Sequence, residues 1–166
     1  LADLIGKKVI LVDFWTYSCI NCQRTTPYLN AWYEKYKDAG LEIVGVHTPE
    51  FEFEKNYENV KKATENAGIK FPVVLDNDYS TWQAYGNRYW PRKYLINLQG
   101  KIVYDHIGEG AYAETEKKIQ EQLGMLASEL VKPKVDSPSA SQISAETYFG
   151  SARNQNFKTC LKLLGD

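Results

Sequence analysis

Hydrophobic positions along the chain fall into short runs separated by glycine, proline and polar clusters. Residues 8–15, KVILVDFW, form an apolar, β-branched run with one acid inside it, which predicts a buried strand. Beyond it Tyr28, Leu29, Trp32, Tyr33 and Tyr36 recur at the spacing of one helix face, and Gly40 supplies the stop. LEIVGVH (41–47) predicts a second buried strand. Residues 52–67 suit a helix ended by Gly68, 71–76 a short strand, and 79–86 a short helix. KYLINLQGKIVYDHIG (93–108) reads as a hairpin, and 112–126 as an amphipathic closing helix. Early alternation of strand and helix implies parallel strands with helices on both faces, and the hairpin adds an antiparallel edge. The predicted class is an α/β sandwich.

From Lys132 the periodicity stops at KPKVDSPSASQIS, a Pro/Ser-rich stretch that reads as a linker. The expected organisation is a domain over 1–126, a linker over 127–144 and a C-terminal stub over 145–166. About twenty residues cannot bury a core alone, so the stub packs back on the domain or begins something longer. Hydrophobic residues make up 43% of the 166, enough for a real core. Twenty basic against 21 acidic side chains leave a net charge of −1 without a basic patch, which gives no support to a nucleic-acid or anionic-membrane partner. No apolar run approaches the roughly 18 residues needed to span a bilayer. The opening LADLIGKK has neither an export signal nor an initiator methionine and reads as trimmed.

Two of the three cysteines lie in WTYSCINCQRTTP (15–27), at the spacing of one helical turn. A zinc site needs four ligands, and Cys160, His47 and His106 fall in no paired spacing with Cys19 and Cys22. A disulfide across two intervening residues closes too short a loop to restrict the unfolded chain much. Position favours a third reading. Cys19 falls where a buried strand gives way to a helix, so its sulfur faces unpaired N–H groups that favour the thiolate. Cys22, one turn on, is placed to attack a sulfur held on Cys19. These two residues read as a redox dithiol, with no metal and no cofactor beyond the Cys19–Cys22 disulfide itself.

The segment VDFWTYSCINCQRTTP resembles the active-site segment of thioredoxin-fold proteins. Asp13 stands six residues before Cys19, Trp15 takes the family's tryptophan position, and Pro27 lies five after Cys22, where the family has its helix-kinking proline. YWPRKYLINLQGKIV resembles the loop carrying the family's cis-proline, with Pro91 in that role. The helix and strand expected between residues 49 and 76 resemble the insertion of the TlpA/ResA-type branch. FWTYSCINC, GVHTPEFEFEK and RYWP are most similar to the thioredoxin domain of DipZ-like proteins. The resemblance covers residues 1–126, and ETYFGSARNQNF weakly resembles the start of the module that follows this domain in DipZ-like proteins.

That resemblance implies a thioredoxin fold with the TlpA/ResA-type helix-strand insertion. It implies a thiol–disulfide oxidoreductase acting outside the cytoplasm, on the periplasmic or cell-wall side, in a branch associated with cytochrome c biogenesis. Its substrates would be protein disulfides or dithiols, and its electron donor a membrane domain preceding it in the full-length protein, which would tether it. The expected catalytic residues are Cys19 as nucleophile, Cys22 as resolver, Asp13 as proton acceptor for Cys22, and Glu50 near the dithiol. The expected substrate-binding residues are Trp90, Pro91, Trp15 and Tyr17, with Tyr89 on the same surface. Trp90 departs from the small or β-branched residue usual before that proline. Competing readings are bland ones: Asp13 as a solvent-facing edge residue, Glu50 as a solvated loop acid, the aromatics as core. GEGAYA (108–113) is a Gly-rich helix entry, not a dinucleotide loop, because no ribose-binding acid follows it. The alternative function is a non-enzymatic binding module that keeps the fold and a structural disulfide.

Overall fold

A computed structural model describes residues 1–125 and 130–133 of the chain. Its strands are β1 (Val9–Trp15), β2 (Leu41–His47), β3 (Val73–Leu75), β4 (Arg92–Ile96) and β5 (Ile102–Ile107). Its helices are α1 (Ile20–Tyr36), α2 (Tyr57–Asn66), α3 (Ser80–Ala84) and α4 (Tyr112–Gln122). The strands form one sheet in the order β3-β2-β1-β4-β5. β1 pairs parallel with β2, and β2 with β3, while β4 runs antiparallel to both β1 and β5. This is the mixed α/β arrangement that the element order implies.

β1 sits at the centre, and all seven of its residues are buried. Successive side chains on a strand point to opposite faces, so β1 divides its residues between two cores. Val9 and Leu11 join Leu41, Ile43 and Leu95 against Leu29, Trp32 and Tyr36 of α1 and Ile119 of α4. Ile10, Val12 and Phe14 join Val44, Val46, Tyr94 and Ile96 on the other face, against Trp82 and Tyr85 around α3. By this alternation Asp13 falls on the α1 face, beneath the start of that helix.

Three boundaries differ from the sequence expectation. The helix expected over 52–67 is a 3₁₀ turn (Glu52–Lys55) followed by α2. Asn56 breaks it, because its side chain accepts from the N–H groups of Glu58 and Asn59 and so caps a new helix. The strand expected over 71–76 keeps only Val73–Leu75. Phe71 turns into the core instead, and Asp76 caps α3 by accepting from the N–H groups of Thr81 and Trp82. The closing helix ends at Gln122, with Gly124 in the left-handed region at φ 65°. The expected linker and stub, with Cys160, lie outside the described residues apart from 130–133. Within that short stretch Val131 packs on the α1 side of the core, and its N–H donates to both carboxylate oxygens of Glu116, at 3.1 and 2.9 Å.

Gly45 of β2 is the residue on which the fit above the sheet depends. A Cβ there would stand 3.0 Å from Trp15 Nε1, 3.2 Å from Phe71 and 3.4 Å from Val73. Gly45→Ala should therefore destabilise the protein by about 1–3 kcal/mol through overpacking, read as a lowered urea midpoint at unchanged slope.

Candidate active site

β1 ends at Trp15, and the chain reaches α1 through Thr16, Tyr17 and Ser18. Cys19 is the N-cap of α1, and its sulfur accepts the N–H of Cys22 at 3.3 Å. A sulfur here satisfies one of the helix's orphan donors and sits at the positive end of its dipole. Cys19 is half-buried, whereas Cys22 is 2% exposed. Both are free thiols. Their environments push them in opposite directions. The hydrogen bond from Cys22, aided by the N–H groups of Cys22 and Asn21, holds the Cys19 thiol below its ordinary value against burial and the Glu50 charge. Burial, Cys19 and the Asp13 charge push the Cys22 thiol well up. The accessible sulfur is thus held toward the thiolate and the buried one toward the thiol.

Asp13 is the buried acid whose charge reaches Cys22. It is 2% exposed, and burial raises its carboxyl from 3.8 to about 7, with Lys93 partly opposing the rise. Lys93 is its direct cross-strand partner on β4 and is wholly buried. The ammonium donates to the carbonyl of Gly108 at 3.1 Å, and burial pulls it below its ordinary value while Asp13 and Cys22 favour its charge. Pro27, inside α1, cannot donate to the carbonyl of Gln23. Just before it the Thr25 and Thr26 hydroxyls donate to the carbonyls of Asn21 and Cys22, both at 2.9 Å.

Pro91 is buried and Trp90 half-buried, and the peptide bond between them is cis. The Trp90 ring is held from two sides. Its Nε1 donates to the Thr48 carbonyl at 3.0 Å, and Trp82 lies with its centroid 4.2 Å away at a tilt of 35°. Asp76 ties those supports together, accepting from the Thr48 hydroxyl at 3.0 Å and from the Trp82 N–H at 2.9 Å. Tyr17 stacks on His47, centroids 5.7 Å apart, and its hydroxyl donates to the Phe53 carbonyl. Trp15 is 5% exposed and meets His47 edge-on. With Tyr17, Gln23, Thr26 and Pro27 it walls a cleft of about 420 Å³ that α2 closes from the other side. Tyr89 is exposed.

Glu50 is exposed and acts on Cys19 through its charge. The wholly buried acid of that segment is Glu54, which sequence reasoning did not single out. Lys93 was missed as well, although a lysine two residues from Leu95 in an apolar strand is placed by the period of two on the same face. His47 is buried against the loop, with Nε2 3.3 Å from the Thr16 hydroxyl, and burial pulls it down to about 4. The glycine-rich stretch before α4 packs on the site: Gly108 N–H donates to the Pro91 carbonyl at 2.8 Å, and Glu109 meets Arg24 of α1 at 3.4 Å.

Residues 1–123 match the family model described as Redoxin. The chain is 44% identical to Protein DipZ of Mycobacterium bovis over 163 residues, 95% of this chain and 23% of DipZ. It thus spans under a quarter of that relative. It is 35% identical to the thiol-disulfide oxidoreductase ResA of Halalkalibacterium halodurans over 133 residues, 80% of this chain and 67% of ResA. The crystal structure of the thioredoxin domain of a thiol-disulfide oxidoreductase from Bacteroides vulgatus superposes with a TM-score of 0.60 at 35% identity. The match covers 72% of this chain and 84% of that one.

The Asp13 shift fixes a pH dependence. The native carboxyl holds a proton that the unfolded chain releases, so this group's contribution is complete below the unfolded value of 3.8 and lost as pH rises to about 7. The loss is at most roughly 4 kcal/mol. Relative to wild type, Asp13→Asn should therefore gain stability as pH rises from 4 to 8, by less than that bound because buried Lys93 loses its anionic partner. Guanidinium midpoints of both proteins across that range check this, and taking the difference cancels His47, whose depressed value acts in the opposite sense.

Proposed function

The chain belongs to the Redoxin family and, with its thioredoxin fold, is a thiol–disulfide oxidoreductase of the kind that includes ResA; from that premise we propose that it is an extracytoplasmic reductant working through the Cys19–Cys22 dithiol. The observation that carries this reading is the opposed pair of thiols at one helix end, an accessible one held down and a buried one pushed up.

In the proposed reaction the Cys19 thiolate attacks one sulfur of a protein disulfide. The substrate S–S bond breaks, and its electron pair leaves on the second sulfur, which takes up a proton. Cys22 then gives its proton to the Asp13 carboxylate, and the resulting thiolate attacks Cys19 Sγ. The mixed disulfide breaks, the remaining substrate sulfur departs as a thiolate, and it too is protonated. Two electrons have moved to the substrate, and the protein holds a Cys19–Cys22 disulfide, the only redox group the cycle needs. Lys93 balances the charge beneath Cys22 as Asp13 gains and loses its proton. Trp90, Pro91 and Tyr17 form the surface where an extended substrate segment docks beside Cys19.

Direction follows from thiolate stabilisation. A strong oxidant owes its potential to a strongly stabilised thiolate. Cys19 is held down by its helix-start hydrogen bonds, but Ile20 and Asn21 place no histidine between the cysteines to add to that, and the Glu50 charge works against it. Less stabilisation lowers the potential and favours donation. Placement outside the cytoplasm is supported by similarity to ResA and DipZ and by the TlpA/ResA-type insertion, here the 3₁₀ turn, α2 and β3. A membrane domain would return the electrons, and DipZ, of which this chain spans 23%, is long enough to contain one. Among the described residues no helix is long and apolar enough to cross a membrane.

Limiting iodoacetamide should modify Cys19 before Cys22, and Cys22→Ser should accumulate mixed disulfides with oxidised protein substrates. Preferential labelling of Cys22 overturns the assignment of roles. Equilibration with glutathione should give a potential near that of thioredoxin, about −270 mV, or lower. A value near about −120 mV would make the domain an oxidant.

A further inference from the structure

The proposed chemistry uses Cys19, Cys22, Asp13 and Lys93, and leaves aside the buried acids Glu54, Asp76 and Glu116, of which Glu54 lies closest in its bonding to the nucleophile's loop. Glu54, at the end of the 3₁₀ turn, is 0% exposed and forms no ion pair among the described residues. Burying a carboxylate without a cation is costly unless hydrogen bonds replace its water. Here they do. Oε1 accepts from the Ser18 hydroxyl at 2.5 Å, and Oε2 accepts from the N–H groups of Glu50 at 2.6 Å and Phe51 at 2.9 Å. The Thr16 side chain adds another hydrogen bond, and these donors together keep the carboxyl below its ordinary value despite burial. The titratable group facing Glu54 is His47, neutral at assay pH because burial pulls it to about 4.

The donors come from two different loops. Ser18 immediately precedes Cys19, and Glu50 and Phe51 lie between β2 and α2. One carboxylate therefore fastens the loop that carries the nucleophile to the loop that carries the exposed Glu50. Glu50 is the acid whose charge opposes the Cys19 thiolate. We propose that Glu54 is a positioning residue: by gripping Ser18 with one oxygen and the Glu50 and Phe51 N–H groups with the other, it sets how close the Glu50 charge stands to the Cys19 sulfur, and so the reactivity of that sulfur. The proposal rests on the oxidoreductase reading for its purpose. Its test does not use exchange activity, so the two can fail separately.

The test is a double-mutant cycle in the full 166-residue chain carrying Cys160→Ser, reading the rate of Cys19 alkylation by iodoacetamide at pH 6. Glu50→Gln should speed labelling roughly threefold, equivalent to lowering the thiol by about half a pH unit. In a Glu54→Gln background, where an amide faces the two N–H donors, Glu50→Gln should leave the rate unchanged. Retention of the full Glu50 effect in that background, or no effect of Glu50→Gln alone, overturns the proposal. Far-UV circular dichroism checks the fold of each variant. Should Glu54→Gln fail to fold, Ser18→Ala removes a single hydrogen bond and carries the same comparison: a diminished Glu50 effect supports the proposal, and an undiminished one overturns it.

Discussion

A carboxylate on a strand that is buried along its whole length is the constraint from which the site is built. Asp13 cannot turn to solvent, because every neighbour on β1 is covered and the pleat fixes its face. The fold answers by setting Lys93 directly opposite and Cys22 above, three groups whose charge states depend on one another. Burial alone would keep Asp13 neutral, and the ammonium alone would keep it ionised. Held between the two, it changes state near neutral pH, where a group that exchanges protons with a thiol is most useful. The packing of α1 and α4 on that face is what keeps water away and makes the balance possible.

The accessible half of the site is organised differently. Cys19 depends on the buried Cys22 thiol together with the main-chain N–H groups at the helix start, and the charge of Glu50 reaches it from an adjoining loop. Trp90 is braced by a carbonyl and a second indole, both tied to Asp76. In the proposed reaction the inner residues would handle the proton and the outer ones approach and orientation. The two sets meet at the sulfur pair and at Gly108, whose carbonyl accepts from Lys93 and whose N–H donates to the Pro91 carbonyl.

Much of this was legible in the sequence where one local signal sufficed. β1 and β2 announce themselves by β-branched runs, and Asp13 stands out because a single acid interrupts the first. The CxxC at a strand-to-helix junction specified both thiols. What stayed hidden needed partners distant in the chain. A helix was expected through Asn56 because the run of helix-forming residues continues on both sides, while its capping role shows only once Glu58 and Asn59 are helical. Phe71 looked like strand until the core claimed it. Lys93 reads as an ordinary edge lysine until the β1–β4 register sets it against Asp13. Glu54 is one acid among several in FEFEK, and nothing local says that its oxygens reach both Ser18 and the main chain of Glu50 and Phe51. Trp15 could be read either as surface or as core, and only the pairing of the strands shows that Gly45 leaves room for its indole against the sheet while it also walls a cleft.

The bracing of Trp90 by Trp82 has an optical consequence. Two indoles with centroids 4.2 Å apart and planes inclined at 35° are near enough for their electronic transitions to mix. The pair then forms one chiral chromophore whose circular dichroism and fluorescence depend on the angle between the rings. Because one of them stands beside the cis-proline, anything that seats there and turns it registers in the spectrum of the unlabelled protein. The wall of the proposed docking surface would also be its own gauge.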